Sequence, residues 1–387
     1  EVLGEGTNWQ DAIFQKGKMQ NHQLSFSGGS EKTTYYLGLN YFKQDGTIIN
    51  SGFDRLSLRF NLDHQIKSWL KVGISSSTAR TNQKTTLTNG SDAIVNVAAF
   101  NSPAAPIFGL NGDFAPPVSI GGYAFGNPVN PVALAQLRQN TGDQFKAFGS
   151  VYGELIFTKF LTMRNEVNYD VTNDNNMSFQ PSLSSGGTTI LAPSKIVEQR
   201  NPSYYWALRN YLNYNQSFGQ HNINAQIGHE AQASYYDNIL ASRQNLALNI
   251  PSIAAGEQEN QVIEGGKGDW AMESYFLRAG YAYDNRYSVN LSLRRDGSSN
   301  FGPDRKLGYF PAASVGWTVT NEKFAKNLKV LNYLKVRAGV GAVGSSNVGG
   351  ASYATNIRLF ATGPFGAGGV PDNVGNPALG WESVTTY

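Results

Sequence analysis

Apolar and polar residues change places one by one along much of this chain. Tyr287, Val289, Leu291 and Leu293 alternate with Ser288, Asn290, Ser292 and Arg294, the period of two that sends successive side chains to opposite faces of a strand. Leu56, Leu58, Phe60 and Leu62 interleave in the same way with Ser57, Arg59, Asn61 and Asp63. Leu70, Val72 and Ile74 interleave with Lys71, Gly73 and Ser75, and Ile223, Ala225 and Ile227 with Asn222, Asn224 and Gln226. Leu334, Val336, Ala338 and Val340 oppose Lys335, Arg337, Gly339 and Gly341. The pattern predicts about fourteen strands, many of ten residues or more, against a mode of about 5–6 in globular proteins. A tilted strand needs about 9–11 residues to cross a bilayer. In a soluble sandwich the apolar face would meet a core; in a membrane barrel it meets lipid, and the polar face a wet lumen.

The connections favour the barrel, because they alternate in length. "GGSEKT" (28–33), "HQIKSW" (64–69), "TKF" (158–160), "FGQH" (218–221) and "DNR" (284–286) are short and polar, several with the Gly, Asn or Asp of hairpin turns. Between them lie long irregular stretches at about 83–142, 172–200, 238–268 and 343–380, with shorter ones at 43–53 and 296–307 in the same phase. Each strand reverses direction, so the short turns collect at one rim and the long loops at the other, the outer-membrane barrel arrangement. "NEKFAKNLKVLNY" (321–333) falls in a short-turn phase but reads as a turn of helix. Trp69, Trp206, Trp270, Trp381 and the pair Tyr283/Tyr287 stand at strand ends, as interfacial aromatic belts do.

Composition narrows the function classes. The chain has 387 residues, 15% of them charged, below the roughly 25% of soluble chains. No apolar run approaches the 18 or more residues of a membrane helix, which is uninformative for strands that alternate. A net charge of +3 gives no reason to expect nucleic acid. Without cysteine there is neither disulfide nor thiolate chemistry.

Local motifs add little catalysis. "GVGAVG" (339–344) matches a dinucleotide-binding spacing, but loop-like "SSNVGGAS" follows where a helix would have to start. "DVTNDNN" (170–176) is oxygen-rich yet lacks the turn Gly and distal Glu of a calcium loop. His22, His64, His221 and His229 have no zinc-ligand spacing, and no G-x-S-x-G is present. No enzyme activity, cofactor or metal is expected.

Two longer segments resemble a known family. "TNWQDAIFQKG" (7–17) with "NHQLSFSGGSEKTTYYLGLNYFKQDGTIINSGFDRLSLRFNLDHQIKSWLKVG" (21–73) is similar to the start of the barrel in SusC/RagA-type TonB-dependent outer-membrane transporters. "YDNRYSVNLSLRRDGSSNFGPDRKLGYFPAASVGWTVTNEKF" (283–324) and "NPALGWE" (376–382) resemble further hallmarks of that family. The resemblance implies energised nutrient uptake at a Gram-negative surface, with oligosaccharides or peptides as substrates. It also implies an N-terminal plug with a TonB-binding segment, and a SusD-like surface lipoprotein closing over the extracellular loops.

Neither plug nor TonB-binding segment is recognisable in these residues, so contact with TonB would run through a segment outside this sequence. Barrels of this class have about 22 strands. The expectation is therefore an all-β fold: an antiparallel transmembrane β-barrel in which residues 1–387 form part of a larger wall, since free sheet edges are costly in lipid. A passive pore or adhesin on the same scaffold is the alternative, and a soluble all-β binding protein a third reading.

Candidate site residues follow from the alternation. Arg59, Asn61, Arg294, Lys335 and Arg337 fall on polar strand faces and would face the lumen, tuning selectivity or pairing with acidic groups of the plug. Phe108, Phe114, Tyr123 and Phe125 sit among Gly, Pro and Asn in the longest loop. They are candidates for stacking on a sugar ring or peptide side chain, or for packing against a lid protein or within the loop.

Overall fold

A computed structural model describes residues 6–387 except 89, 91–92, 111, 116–118, 121–122, 125–128, 186–187, 192, 326–330, 350–351, 361–365 and 367. Its strands, in chain order, are β1 (Met19–Gly29), β2 (Thr33–Asp45), β3 (Gly52–Lys67), β4 (Leu70–Thr85), β5 (Ser119–Ile120), β6 (Tyr123–Ala124), β7 (Gln139–Ile156), β8 (Leu161–Gln180), β9 (Leu183–Ser185) and β10 (Thr188–Leu191). They continue with β11 (Lys195–Phe218), β12 (His221–Gln244), β13 (Val262–Tyr283), β14 (Tyr287–Ser298), β15 (Leu307–Thr318), β16 (Lys335–Ser345), β17 (Ile357–Phe360), β18 (Gly368–Pro371) and β19 (Glu382–Thr386). Among the described residues thirteen strands make one sheet in the order β1-β2-β3-β4-β7-β8-β11-β12-β13-β14-β15-β16-β19. The remaining six pair two by two inside the long connections.

Every neighbour in the large sheet is antiparallel and next in line along the chain, so the wall is an up-and-down meander. The expected count of about fourteen strands comes within one of the thirteen found. Short turns and long loops segregate to opposite rims except at the connection 319–334 between β15 and β16, which is long and falls in the turn phase. The turn 284–286 shows why a few residues suffice: Asp284 and Asn285 take φ of 49° and 52° at the centre of a turn closed by Arg286 N–H donating to the Tyr283 carbonyl, a left-handed pair whose twist matches that of the flanking strands.

The outward face carries an apolar band between two aromatic rows. Phe218, His221, Tyr283, Tyr287 and Trp317 are successive cross-strand partners near the turn rim. Eight residues further along β13, β14 and β15 lies a second row, Tyr275, Arg295 and Tyr309. Eight residues span about 27 Å along a strand, which at a tilt of about 35–45° projects to roughly 20 Å, most of the roughly 25 Å apolar band of an outer-membrane protein. Val289, Leu291, Leu293 and Val315 fill the interval and are exposed.

The strands do not stop at the band. β11 and β12 have 24 residues each, about 80 Å of chain, and the excess lies on the loop side. The loops expected at about 172–200 and 238–268 are correspondingly shorter: β8 runs to Gln180 before β11 begins at Lys195, and β12 runs to Gln244 before β13 begins at Val262. "DVTNDNN" (170–176), weighed as an ion-binding loop, lies within β8. Once both faces meet water the alternation lapses, while the strands stay paired through their backbone ladders.

Buried apolar clusters sit beneath the long loops. Three short helices, α1 (Trp9–Ile13), α2 (Ile94–Phe100) and α3 (Pro131–Leu137), pack Trp9, Ile13, Ile94, Val97, Val132 and Leu134 against Ile48 of the β2–β3 loop. Asn130 starts α3: its side-chain oxygen accepts from the amides of Val132 (3.0 Å) and Ala133 (3.2 Å), with Pro131 at the first helical position. A second cluster joins Phe179, Ile196 and Leu246. A third links two of the family-like segments, the ring of Trp381 lying 5.3 Å from that of Phe301 and 5.2 Å from that of Phe310.

At the turn rim, Val319–Asn321 forms a 3-10 turn; the turn of helix expected within 321–333 falls partly on residues 326–330, outside those described. The 3-10 turn delivers Glu322 beneath the preceding hairpin. That carboxylate accepts from the Tyr287 hydroxyl, from Trp317 Nε1 (3.2 Å) and from Arg286 Nη1 (3.0 Å). The Tyr287 hydroxyl, then the indole and guanidinium, hold it below its ordinary value against the opposing effect of burial. A depressed folded-state value gives stability that is present above the unfolded value of about 4.3 and is lost as pH falls through the folded one. Acidification below about pH 4 is therefore expected to lower the melting temperature of the native barrel more than that of Glu322→Gln, measured by loss of heat-modifiable gel mobility. Equal acid sensitivity would remove Glu322 from that role.

Candidate functional site

The polar face of the sheet is organised by register. Asp63, Gly73, Tyr152, Glu166, Arg209, Glu230, Ser274 and Asp296 are direct partners across eight consecutive strands, β3 to β14. Direct partners in an antiparallel pair share a face, so these side chains form one lateral row. It runs from near the turn end of β3 to the loop end of β14, the diagonal that strand tilt imposes on a barrel wall.

Charges along this row neutralise one another. Glu230, 6% exposed, accepts from Arg209 Nε and from Arg294 Nη2 (3.2 Å). Arg294 also reaches Asp296 (2.7 Å) and donates to the Ser274 hydroxyl (2.8 Å). Nearer the turn rim, Arg164 pairs with Glu166 (2.7 Å) and lies 3.5 Å over the Tyr152 ring. The Tyr152 hydroxyl donates to Asp63, which also faces Lys71 at 3.6 Å. Gly73 is required in this row because a Cβ there would collide with the Tyr152 ring.

Towards the loops the same face becomes rich in carboxamides. Gln44, Phe53, Gln83, Gly142, Asn176 and Gln199 are again successive partners. They line a cleft of about 1020 Å³ that also takes in Gln15, Asn50 and Arg200. A carboxamide both donates and accepts, while Phe53, set edge-on to Phe42 at 5.9 Å, adds an apolar patch. Gly142 leaves the middle of the row without a side chain. Such a surface can hold a neutral, hydrogen-bonding solute: hydroxyls or peptide groups against the amides, carbon-bound hydrogens against the ring. Among the described residues no group of three His, Cys, Asp or Glu could hold a metal ion.

The residues singled out from sequence are placed as follows. Arg59, Asn61, Arg294, Lys335 and Arg337 share the polar face, each connected through register to the row above. Arg294 finds its acidic partners, Glu230 and Asp296, within the wall itself rather than on another domain. Asn61 accepts from Ser75 Oγ (2.7 Å). Arg59, Lys335 and Arg337 have no ion pair among the described residues. The loop aromatics are not brought together as a set: Phe108 and Phe114 stack on each other, centroids 5.3 Å apart, with Phe114 packed on the helical cluster and Phe108 half exposed. Tyr123 lies in β6, and Phe125 is outside the described residues. The carboxamide row escaped sequence reading; its only local signal is the density of Asn and Gln in "TNQKT" (81–85) and "NDNN" (173–176).

A thirteen-strand antiparallel meander, polar on one face, with its short turns at one rim and long loops at the other, defines the wall of a large outer-membrane-type β-barrel. No family model matches the chain, but relatives do. TonB-dependent receptor P3 of Formosa agariphila is 30% identical over 366 residues, 88% of this chain and 34% of that protein. The TonB-dependent receptor SusC of Bacteroides thetaiotaomicron is 25% identical over an alignment of 411, covering 98% of this chain and 40% of SusC. The structure of the RagAB peptide transporter superposes with a TM-score of 0.83 at 24% identity, over 98% of this chain and 43% of that one. In sequence the chain is similar to part of TonB-dependent receptors of the SusC type, and in fold to part of the RagAB transporter. It spans between 34% and 40% of the length of these two curated relatives.

Proposed function

We propose that this chain forms part of the wall of a TonB-dependent transporter in the outer membrane of a Gram-negative bacterium. It imports an oligosaccharide or peptide together with a SusD-like surface lipoprotein that closes over the long loops. The observation that carries the reading is the carboxamide-lined cleft on the polar face, directly below the long-loop rim, where a captured solute would enter the lumen. Its lining performs no chemistry on the cargo. The self-neutralised ion pairs below it leave a wall that lets a polar solute pass without trapping it, while Arg59, Lys335 and Arg337, without an ion pair among the described residues, face the lumen and bias selectivity. Half-exposed Phe108 stands where a lid lipoprotein would meet the loops. Energy reaches the barrel through TonB and a segment outside these residues.

The test is uptake of labelled oligosaccharide and peptide pools by cells carrying the full-length protein, with and without a protonophore. Energised, saturable uptake that collapses with the proton motive force is expected. Uptake indifferent to the protonophore would make the barrel a passive pore. The double variant Gln83→Ala/Asn176→Ala should weaken cargo affinity by about tenfold, from two hydrogen bonds at about 0.5–1.5 kcal/mol each, with folding unchanged. Unaltered affinity, measured by titration calorimetry on the purified complex, would move the binding surface elsewhere.

A further inference from the structure

The outward apolar face of β13–β16 is not smooth. Leu277, Leu291 and Leu293 form one bank and Val340 the other, while Pro311 and Ala313 between them are short. The difference in side-chain length leaves a groove of about 470 Å³, within the size range of small-molecule sites. It lies inside the band bracketed by the two aromatic rows, so the medium against it is hydrocarbon.

At the loop-side end of this groove stands a cation. Arg295 follows Leu293 by one step on the same face, between its register partners Tyr275 and Tyr309. Its guanidinium lies 5.6 Å from the centre of the Tyr275 ring and has no ion pair among the described residues. The nearby carboxylate of Glu273 is engaged otherwise, by His229 Nε2 at 3.1 Å and the Tyr275 hydroxyl at 3.0 Å. Glu273 feels the charge of Arg295 but makes no direct ion pair with it among the described residues, so the guanidinium at the edge of the lipid-facing band keeps donors for a phosphate, which its planar fork can hold bidentately. A dent in the apolar surface below it loses dispersion contacts unless something flexible fills it.

We infer that Arg295 and the Pro311/Ala313 groove form a site for one phosphate-bearing membrane lipid. An acyl chain lies along the groove and the headgroup phosphate meets Arg295 at the level of Tyr275 and Tyr309. Interfacial basic pockets that bind lipid headgroups follow the same logic. The site is on the opposite face of the wall from the cargo cleft, so its failure would leave the transport reading untouched.

The experiment is native mass spectrometry of the full-length protein, delipidated in detergent and titrated with phosphatidylglycerol or phosphatidylcholine. One saturable phosphatidylglycerol adduct is expected, bound at least tenfold more tightly than the zwitterionic lipid and not displaced by an equal concentration of inorganic phosphate. Arg295→Ala should lose that preference, and Arg295→Lys should keep part of it. Ala313→Phe, which fills the groove without changing charge, should weaken both lipids. Heat-modifiable mobility identifies variants that fold, and the wild-type titration decides alone if they do not. Equal affinity for the two lipids, displacement by inorganic phosphate, or a two-barrel species that excludes lipid from this face would each overturn the assignment.

Discussion

Glu230→Ala is expected to destabilise the folded barrel by about 2–3 kcal/mol. The carboxylate is 6% exposed and holds two guanidinium groups, those of Arg209 and Arg294. Breaking a fully buried ion pair costs about 3–5 kcal/mol because a charge is left unmatched, whereas an exposed pair is worth about 0–1. The two arginines are 44% and 34% exposed, so water screens part of the loss and the expectation falls between the limits. Arg294 retains Asp296 and Ser274; Arg209, whose ion pair among the described residues is with Glu230, carries most of the penalty. Denaturant titration of the purified barrel checks the magnitude. A change below about 0.5 kcal/mol, the range of ordinary surface substitutions, would mean that the row is a solvated surface and not a structural element of the wall.

Phe301→Ala is expected to have the larger effect, about 3–5 kcal/mol, as for other fully buried phenylalanines. Phe301 has no exposed surface, although it lies in the connection between β14 and β15 and not in a strand. Its ring supports Trp381, whose indole nitrogen donates to the Lys306 carbonyl at 2.8 Å, and neighbouring Asn300 donates to the Ser346 carbonyl at 2.9 Å. The loop 299–306 and the start and end of the connection 346–381 are thus tied through one aromatic cluster. If the loss stays local, it appears as protease cleavage within 346–381 while the strands keep their heat-modifiable mobility. If it spreads, the melting temperature falls. A variant that resists protease and melts like wild type would show that the cluster does not hold the loops.

The wall of this fold was legible because membrane and lumen impose opposite demands on alternate residues. Tyr287–Leu293 and Leu56–Leu62 carry that imprint directly, and the lengths of the connections fix the two rims. Legibility ended where the imprint ends. Above the apolar band, residues such as Asp170–Asn176 meet water on both faces, and a strand there has the composition of a loop. The helices escaped for a different reason: at five to seven residues they are too short to show a 3.6-residue period, and their burial depends on Ile48, far away in sequence.

The site was legible by face but not by row. Alternation alone put Arg59, Asn61, Arg294, Lys335 and Arg337 on one face. It could not show that Glu230 joins Arg209 to Arg294, or that Gln44, Gln83, Asn176 and Gln199 stand abreast, because cross-strand neighbours follow from register between distant segments. The partners of Arg294 illustrate the difference: its nearest acid in sequence and its nearest acid across the sheet both lie in the wall, and only the register reveals the second.

The proposed role, part of a transporter barrel in the outer membrane, has a direct test. The direct measurement is to extract the native protein carrying this sequence from outer membranes in detergent, compare unheated with boiled mobility, and identify co-purifying chains. A heat-modifiable species well above the 42.1 kDa of these residues, accompanied by a surface lipoprotein, is expected. A soluble species of 42.1 kDa without a companion would contradict it, and the apolar face of Tyr287–Leu293 would then have to be covered by protein instead of lipid.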